Sequence, residues 1–297
     1  MSILEINNIK KSFKQVQALK GISFSVPEGA IFGILGPNGS GKTTLMGILL
    51  NVLQPDEGEF LWFGKPASDI QRQRIGTLLE TPNFYHYLTA SQNLEITRKI
   101  SNRGTKADID HILKKVGLYE RRHSPFSTFS LGMKQRLAIG AALLGSPKVV
   151  MLDEPTNGLD PVGIAEVRAL LVELKSSGHT VIIASHLLDE IEKVCTHVVI
   201  MKQGSLLASG PVDEVLRNDD LVEISSTDLS HLALMLSGFN GIISVKQDGP
   251  VLLISLPEGT ADLSAINAFC FAKGIHLNHL SKRKQRLEAR FFELTQN

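Results

Sequence analysis

Cysteine is nearly absent from this sequence, and so is any excess of charge. Cys195 and Cys270 are the only two in 297 residues. They stand far apart and in no CxxC or metal spacing, so a disulfide framework is excluded and a reducing, cytosolic setting fits. Lys and Arg number 31 against 30 Asp and Glu, a formal net charge of +1. A general nucleic-acid binder would show a strongly basic face, so no nucleic-acid partner is expected. No apolar run approaches the ~20 residues needed to span a bilayer, and the N-terminus lacks the charged and apolar regions of a signal peptide. Any membrane work is expected to pass through a partner. The length suits one large domain plus a small one, or two, with a sizeable core.

Against these absences stands one glycine-rich stretch, Gly36-Pro37-Asn38-Gly39-Ser40-Gly41-Lys42-Thr43-Thr44. Ala30 to Leu35 before it is apolar enough for a buried strand, and Leu45 to Leu50 after it reads as a leucine-rich helix. Strand, glycine loop and helix in that order form a phosphate cradle. The glycines turn the backbone and aim N–H groups inward, the helix start adds partial positive charge, and Lys42 can reach the β- and γ-phosphates. Thr43 offers a hydroxyl to Mg²⁺.

Residues 2–9 and 22–26 alternate apolar and polar as half-buried strands do, with Phe13 between them. A short strand is expected around Gly58 and another from Ile75 to Glu80. From 89 to 145 helical periodicity takes over, at Ile109, Ile112, Leu113 and Val116, closed by Gly117. Ser130 is a good N-cap for a helix from Leu131 to Leu144, which Gly145-Ser146-Pro147 stops. That start is a second ready anion site, although any capped surface helix looks the same.

Lys148 to Pro155 reads as a buried strand ending in two carboxylates, Asp153 and Glu154. Alternation sends the two side chains to different sides, so one can face magnesium while the other faces a water. In isolation such a pair is as often a helix cap or solvated turn. Thr156 to Pro161 is a turn, and residues 162–177 form an amphipathic helix through Ile164, Val167, Leu171 and Leu174. Thr180 to Ala184 is a further buried strand with Ser185 and His186 at its end, and a lone strand-end histidine is more often structural. Apolar helix and strand segments alternating from 30 to 210 predict a mostly parallel sheet with helices on both faces. Ligands of such sheets bind at the carboxyl ends of strands, where Gly41, Asp153, Glu154 and His186 all fall.

In this order and at these intervals the motifs resemble the ATP-binding subunit of an ABC transporter, over residues 2 to about 216. Walker A is Gly36 to Thr43, and Walker B is Val149 to Asp153 followed by Glu154. The family's LSGGQ stands here as Phe129-Ser130-Leu131-Gly132-Met133, its switch histidine as His186, and its D-loop as Gly158-Leu159-Asp160. The resemblance implies a P-loop ATPase that binds ATP and Mg²⁺. Phe13 would stack on adenine, residues 36–44 would hold the phosphates, and Thr43 and Asp153 would hold the metal. Glu154 would polarise the attacking water and His186 would hold the γ-phosphate. The family works as a head-to-tail dimer, so Ser130 and Gly132 would face ATP held by the opposite copy of a homodimer. A separate integral-membrane permease is implied as partner, which places the chain on the cytoplasmic face of the cell membrane.

Two departures matter. Leu131 and Met133 replace the usual glycine and glutamine, leaving Ser130 and Gly132 as contacts. Glu80 stands where most members carry a glutamine that touches Mg²⁺ and senses the membrane subunit, so it is a further metal candidate. With Phe84-Tyr85 and the Ser-Leu-Gly-Met-Lys-Gln run, it resembles the branch of bacitracin-type and lantibiotic self-protection exporters. Phe84, Tyr85 and Tyr87 read either as a grip for the permease's coupling helix or as core of the helical subdomain, about 86–145.

From 218 to 297 an accessory α+β domain is expected. Its strands and helices are Leu221 to Ile224, 228–238, Ile242 to Val245, a turn at Asp248-Gly249 into Val251 to Leu256, Asp262 to Lys273, and a strand near Leu277. That order suits a ferredoxin-like fold. Lys282 to Arg286 reads as a solvated loop, or as a contact for acidic lipid or a partner. Leu287 to Thr295 resembles the ending of drug-export members.

The expected function is therefore ATP hydrolysis that powers a permease, an exporter of a peptide antibiotic or drug. The alternatives are a soluble ABC ATPase acting on ribosomes or DNA, and a regulatory protein that binds ATP without turning it over. A second cassette or long coiled coil would favour the first; neither is present. The Asp153, Glu154 and His186 set speaks against the second. A carboxylate at position 80 adds one negative charge near the metal, raising Mg²⁺ attraction while opposing the γ-phosphate. Glu80→Gln is expected to keep ATPase activity within about tenfold; complete loss in a steady-state assay would show that the carboxylate itself is required.

Overall fold

In a computed structural model, which describes residues 1–79, 83–215, 220–257 and 259–283, the alternating N-terminus becomes a long hairpin. Strands β1 (Ser2–Phe13) and β2 (Val16–Pro27) pair antiparallel from Ser2↔Pro27 to Phe13↔Val16. Pairing thus runs past the point where apolar alternation ends, because backbone bonds need no side-chain pattern. β3 (Ile31–Leu35) follows, then helix α1 (Lys42–Leu49). β4 (Glu57–Trp62) and β5 (Lys65–Pro66) complete a first sheet ordered β2-β1-β4-β5. A single helical turn, α2 (Asp69–Arg72), leads to β6 (Ile75–Leu78).

The second sheet uses β6 and β3 together with β7 (Val149–Asp153), β8 (Thr180–Ser185), β9 (His197–Lys202) and β10 (Ser205–Pro211). Its order is β10-β9-β3-β8-β7-β6; β10 is antiparallel to β9 and every other neighbour is parallel. Every residue of β3, β7 and β8 is buried, which is why they read as continuous apolar runs. One face, through Phe32, Ile34, Met151, Ile182 and Val199, shares a core with α1 and with the first sheet. Phe24 stacks on Phe32 with ring centroids 5.4 Å apart, and buried Trp62 donates its indole N–H to the Leu49 carbonyl at 2.9 Å. That side is therefore covered by a helix and the N-terminal antiparallel sheet together. α6 (Pro161–Ser176) and α7 (Leu188–Val194) belong to the other face. Gly33 is required there, since a methyl group would come within 2.8 Å of Ile191. A short α8 (Val212–Val215) ends this unit.

The helical segment holds α3 (Ala90–Ser101), α4 (Lys106–Lys115) and α5 (Leu131–Ala142). Thr89 and Gln92 form a reciprocal capping box at the start of α3. Buried Asn93 accepts from the Tyr85 N–H and donates to the Tyr85, Leu88 and Thr89 carbonyls, fixing the loop before the helix.

A second compact unit follows Val215. It contains β11 (Asp220–Ser226), α9 (Leu229–Leu236), β12 (Ser244–Asp248), β13 (Val251–Leu256), α10 (Leu263–Ala272) and β14 (Leu277–Arg283). The sheet order is β12-β13-β11-β14 with all neighbours antiparallel, the ferredoxin-like arrangement. Val222, Ile224, Leu252 and Ile254 pack on Leu232, Leu236, Ile266 and Cys270. Asp228 and Asp262 cap the two helices. The strand expected at Ile242 begins at Ser244, and because Asp248 pairs with Val251 the tight loop is Gly249-Pro250. Lys282 and Arg283 belong to β14 and not to a loop: Lys282 pairs with Asp220 at 2.6 Å and Arg283 with Asp248 and Glu223. Burial pushes the Asp220 carboxyl up, but the Lys282 bond, the Ala261 N–H and the Lys282 charge together hold it below its ordinary value. The rest of the basic run, from Lys284, and Leu287 to Thr295 lie outside the described residues.

The end of α5 is anchored by a residue that periodicity does not mark. Arg103 donates to the Ala142 carbonyl at 2.9 Å, to Leu144 at 2.7 Å and to Ile75 at 2.8 Å. Carbonyls at a helix end have no partner within the helix, and here one guanidinium ties them to β6. Arg103→Ala is expected to lower unfolding stability by about 2–3 kcal/mol, read as a lower midpoint in urea with the slope unchanged.

Candidate nucleotide-binding site

The site forms where β3, β7 and β8 end level with one another. Leu35 pairs with Ser185 and Asp153 with Ala184. The ladder continues one step beyond: Gly36 N–H donates to Ser185 C=O at 3.3 Å and Glu154 N–H to Ala184 C=O at 2.9 Å. The glycine loop then folds over this edge. A side chain at Gly36 would meet the Met201 carbonyl at 2.4 Å, and Gly41, with φ of 103°, lies 2.7 Å by the same measure from the Ala18 carbonyl. Only glycine fits both, one for closeness and the other for backbone angle as well. Asn38 to Thr44 line one side of a cleft of about 930 Å³, with Asp153, Glu154 and Asn157 also on its wall.

This cleft suits a triphosphate. Gly41 is the N-cap of α1 and brings no side chain, so the first N–H groups of the helix face the loop uncapped. Ser40 Oγ is buried and has no hydrogen-bond partner among the described residues, a donor held ready for an oxyanion. Lys42 is buried, with Nζ 2.7 Å from the Gly36 carbonyl, 3.4 Å from that of Pro37 and 3.6 Å from Glu154 Oε1. Thr43 Oγ1 donates to Asp153 Oδ2 at 3.0 Å. A hydroxyl and a carboxylate so close, both on the cleft, fit a hard, oxygen-seeking cation such as Mg²⁺.

Glu154 is separated from Asp153 by a different device from the one expected. Strand alternation does not divide them, since both line the same cleft. Glu154 has left the strand with φ of 47°, a left-handed angle uncommon for a residue with a side chain. It thereby reaches Lys42 with Oε1 and His186 with Oε2, the latter 2.9 Å from Nδ1. The three groups form one continuous chain of cation, carboxylate and imidazole. Neither cysteine takes part: burial, helped by the nearby Glu190 charge, pushes the Cys195 thiol up to about 12, and burial raises Cys270.

The remaining candidates divide. Phe13 does not line the cleft; it sits half-exposed at the β1–β2 turn with the Lys11 ammonium 5.7 Å from its ring centre. Residues 15–18 of the same hairpin line the cleft instead. Ser130 is exposed and caps α5, accepting from Met133 N–H at 3.3 Å, and Gly132 also stays off this chain's own cleft. Their neighbours Leu131 and Gln135 do line it, and sequence reasoning missed Gln135, Asn157 and the hairpin. The only signal was that Leu131 stood in a small-residue position. Asp160 caps α6, accepting from Gly163 N–H at 2.8 Å. Glu80 lies outside the described residues. Of the aromatic group, Phe84 packs edge-on against buried Phe126, while Tyr85 and Tyr87 are exposed, 51% and 75%.

Comparison with known proteins follows the same lines. A family model described as ABC transporter matches residues 19–157. The chain is 34% identical to a bacitracin transport ATP-binding protein of Enterococcus faecalis, over 98% of this chain and 96% of that one. It is 36% identical to a lantibiotic transport ATP-binding protein of Streptococcus pyogenes, over 74% of this chain and 99% of that one. Among solved structures, cbiO1 of Clostridium perfringens, described as part of an ABC transporter complex, superposes with a TM-score of 0.66 at 32% identity. That match covers 72% of this chain and 90% of the other.

Because Lys42 carries the one ammonium held inside the glycine loop, its loss is expected to act on binding first. Lys42→Ala should weaken MgATP binding by about tenfold or more in a calorimetric titration, while the far-ultraviolet circular dichroism spectrum stays that of the parent.

Proposed function

From its membership in the ATP-binding subunits of ABC transporters, to which this chain belongs by near-full-length similarity above 30% identity, we propose an exporter ATPase. The family couples ATP binding and hydrolysis to a membrane permease. Among the described residues no helix is long and apolar enough to cross a membrane, which agrees with a subunit that works through a separate permease on the cytoplasmic face of the membrane. The finer reading is that the permease exports a peptide antibiotic, drug or similar compound. Relatives named for bacitracin and lantibiotic transport support it, and the bacitracin relatives match over 98–99% of this chain, its C-terminal unit included.

The observation that carries the ATPase reading is the Lys42, Glu154 and His186 chain, at 3.6 and 2.9 Å. ATP binding would draw Lys42 from its own carbonyls onto phosphate oxygens and free Glu154 to orient a water, with His186 fixing the carboxylate and meeting the γ-phosphate. Mg²⁺, held by Thr43 and Asp153, would spread the charge of the phosphates. Ser130, exposed at the start of α5 and not on the wall of its own cleft, would close on the phosphates of a second copy, and Phe13 would meet the base. Positioning and electrostatics supply most of the acceleration in such a site.

Affinity-tagged chain solubilised from its native membranes is expected to bring down an integral-membrane protein and to hydrolyse ATP. Glu154→Gln should keep ATP affinity within about threefold, lose turnover by a hundredfold or more, and run as a dimer in ATP by size-exclusion chromatography. Unchanged hydrolysis would remove the role given to Glu154, and recovery of a soluble macromolecular partner alone would replace the transport reading.

A further inference from the structure

Glu190 lies outside every motif discussed so far, yet it touches both segments that present the reacting groups. It is the third residue of α7, the position from which a carboxylate ordinarily reaches back to the N-cap backbone of its own helix. That backbone donor, Leu187 N–H, is already bound to Ser185 Oγ at 3.1 Å. The Glu190 carboxylate turns away instead. Its Oε2 accepts from Thr156 Oγ1, two residues after Glu154, and from Ser185 Oγ at 3.5 Å, one residue before His186. Thr156 and Ser185 are both buried, so these bonds are shielded from water and strengthened by it.

The other oxygen adds a third segment. Glu190 Oε1 and Arg168 Nε are buried and have no hydrogen-bond partner among the described residues. Both residues line one small cavity of about 20 Å³ together with Thr156. Arg168 belongs to α6, the helix that Asp160 caps. The segments that follow β7 and end β8 therefore meet at a single carboxylate, and a residue of α6 shares the cavity beside it.

We infer that Glu190 is a positioning residue for ATP hydrolysis: by clamping Thr156 and Ser185 it sets the Glu154 to His186 contact. This rests on the ATPase reading above. The glycine loop and Lys42 line the nucleotide cleft and Glu190, Thr156 and Ser185 do not, so the clamp bears on turnover and leaves affinity to others.

The test compares steady-state ATPase kinetics of the full chain, its Glu154→Gln variant, Glu190→Ala, Glu190→Gln, Thr156→Val and the double variant Glu190→Ala with Thr156→Val. Glu190→Ala is expected to lower kcat about tenfold with KM for ATP within about twofold. Glu190→Gln keeps an acceptor for both hydroxyls and should recover to within about threefold of the parent kcat. Thr156→Val, which breaks one of the two contacts, should lower kcat by no more than Glu190→Ala, and the double variant should fall no further than Glu190→Ala, because the Thr156 contact is already lost in it. A kcat of Glu190→Ala within twofold of the parent overturns the proposal, as do multiplying effects in the double variant or a shift in melting temperature and KM alone. If Glu190→Ala does not fold, the Glu190→Gln and Thr156→Val pair decides on the same terms. Parent protein with no ATPase activity above Glu154→Gln would overturn the ATPase reading and the clamp with it, whereas active parent and unaffected variants would sink the clamp only.

Discussion

A single buried ammonium sets the terms for this site. Lys42 is taken out of water inside the glycine loop, and a charge in that position is costly unless oxygen atoms surround it. The chain supplies them from its own backbone at Gly36 and Pro37 and from the Glu154 carboxylate. Those partners come from β3, its loop and the end of β7, so the charge is stable only while parallel strands stay in register. The same arrangement leaves a ready-made space for an anion, because phosphate oxygens can take over from the carbonyls without exposing the charge.

Much of this is legible in the sequence, for a physical reason. The glycine loop and the strand-end carboxylates are read from local features, backbone freedom, buried runs and where they stop, while His186 is placed at a strand end by the same features and given its role only by resemblance. What was not legible depends on contacts between residues far apart in sequence. Glu154 separates from Asp153 by a left-handed backbone angle, and no pattern of alternation signals that. Arg103, which no motif or apolar period marks, satisfies helix-end carbonyls some forty residues away. Phe13 was assigned by resemblance, and the residues that line the cleft come from the other arm of its hairpin. Lys282 and Arg283 read as a charge run and prove to be paired along an antiparallel edge.

The second unit shows the complementary case. Its order of strands and helices was readable throughout, since each element is amphipathic and capped by aspartate at Asp228 and Asp262. Its boundaries were not, because β12 is mostly exposed and its start is decided by pairing with β13. Among its described residues no group of three or more His, Cys, Asp or Glu is placed to hold a metal ion. Yet the bacitracin transport relatives match across it as fully as across the first unit.

The floor beneath the phosphates is built by parts of the chain that carry no motif. Ser185 accepts from Gly36, the Met201 carbonyl presses against Gly36, and Gly204 donates to the Ser40 carbonyl at 3.0 Å. All three lie beyond residue 157, where the family model stops. A fragment trimmed to that model would own Lys42, Thr43, Asp153 and Glu154 and lack the strands beside which they are held. The phosphate cradle in this protein is thus a property of the finished sheet, and the stretch of sequence that carries the motif is only part of it.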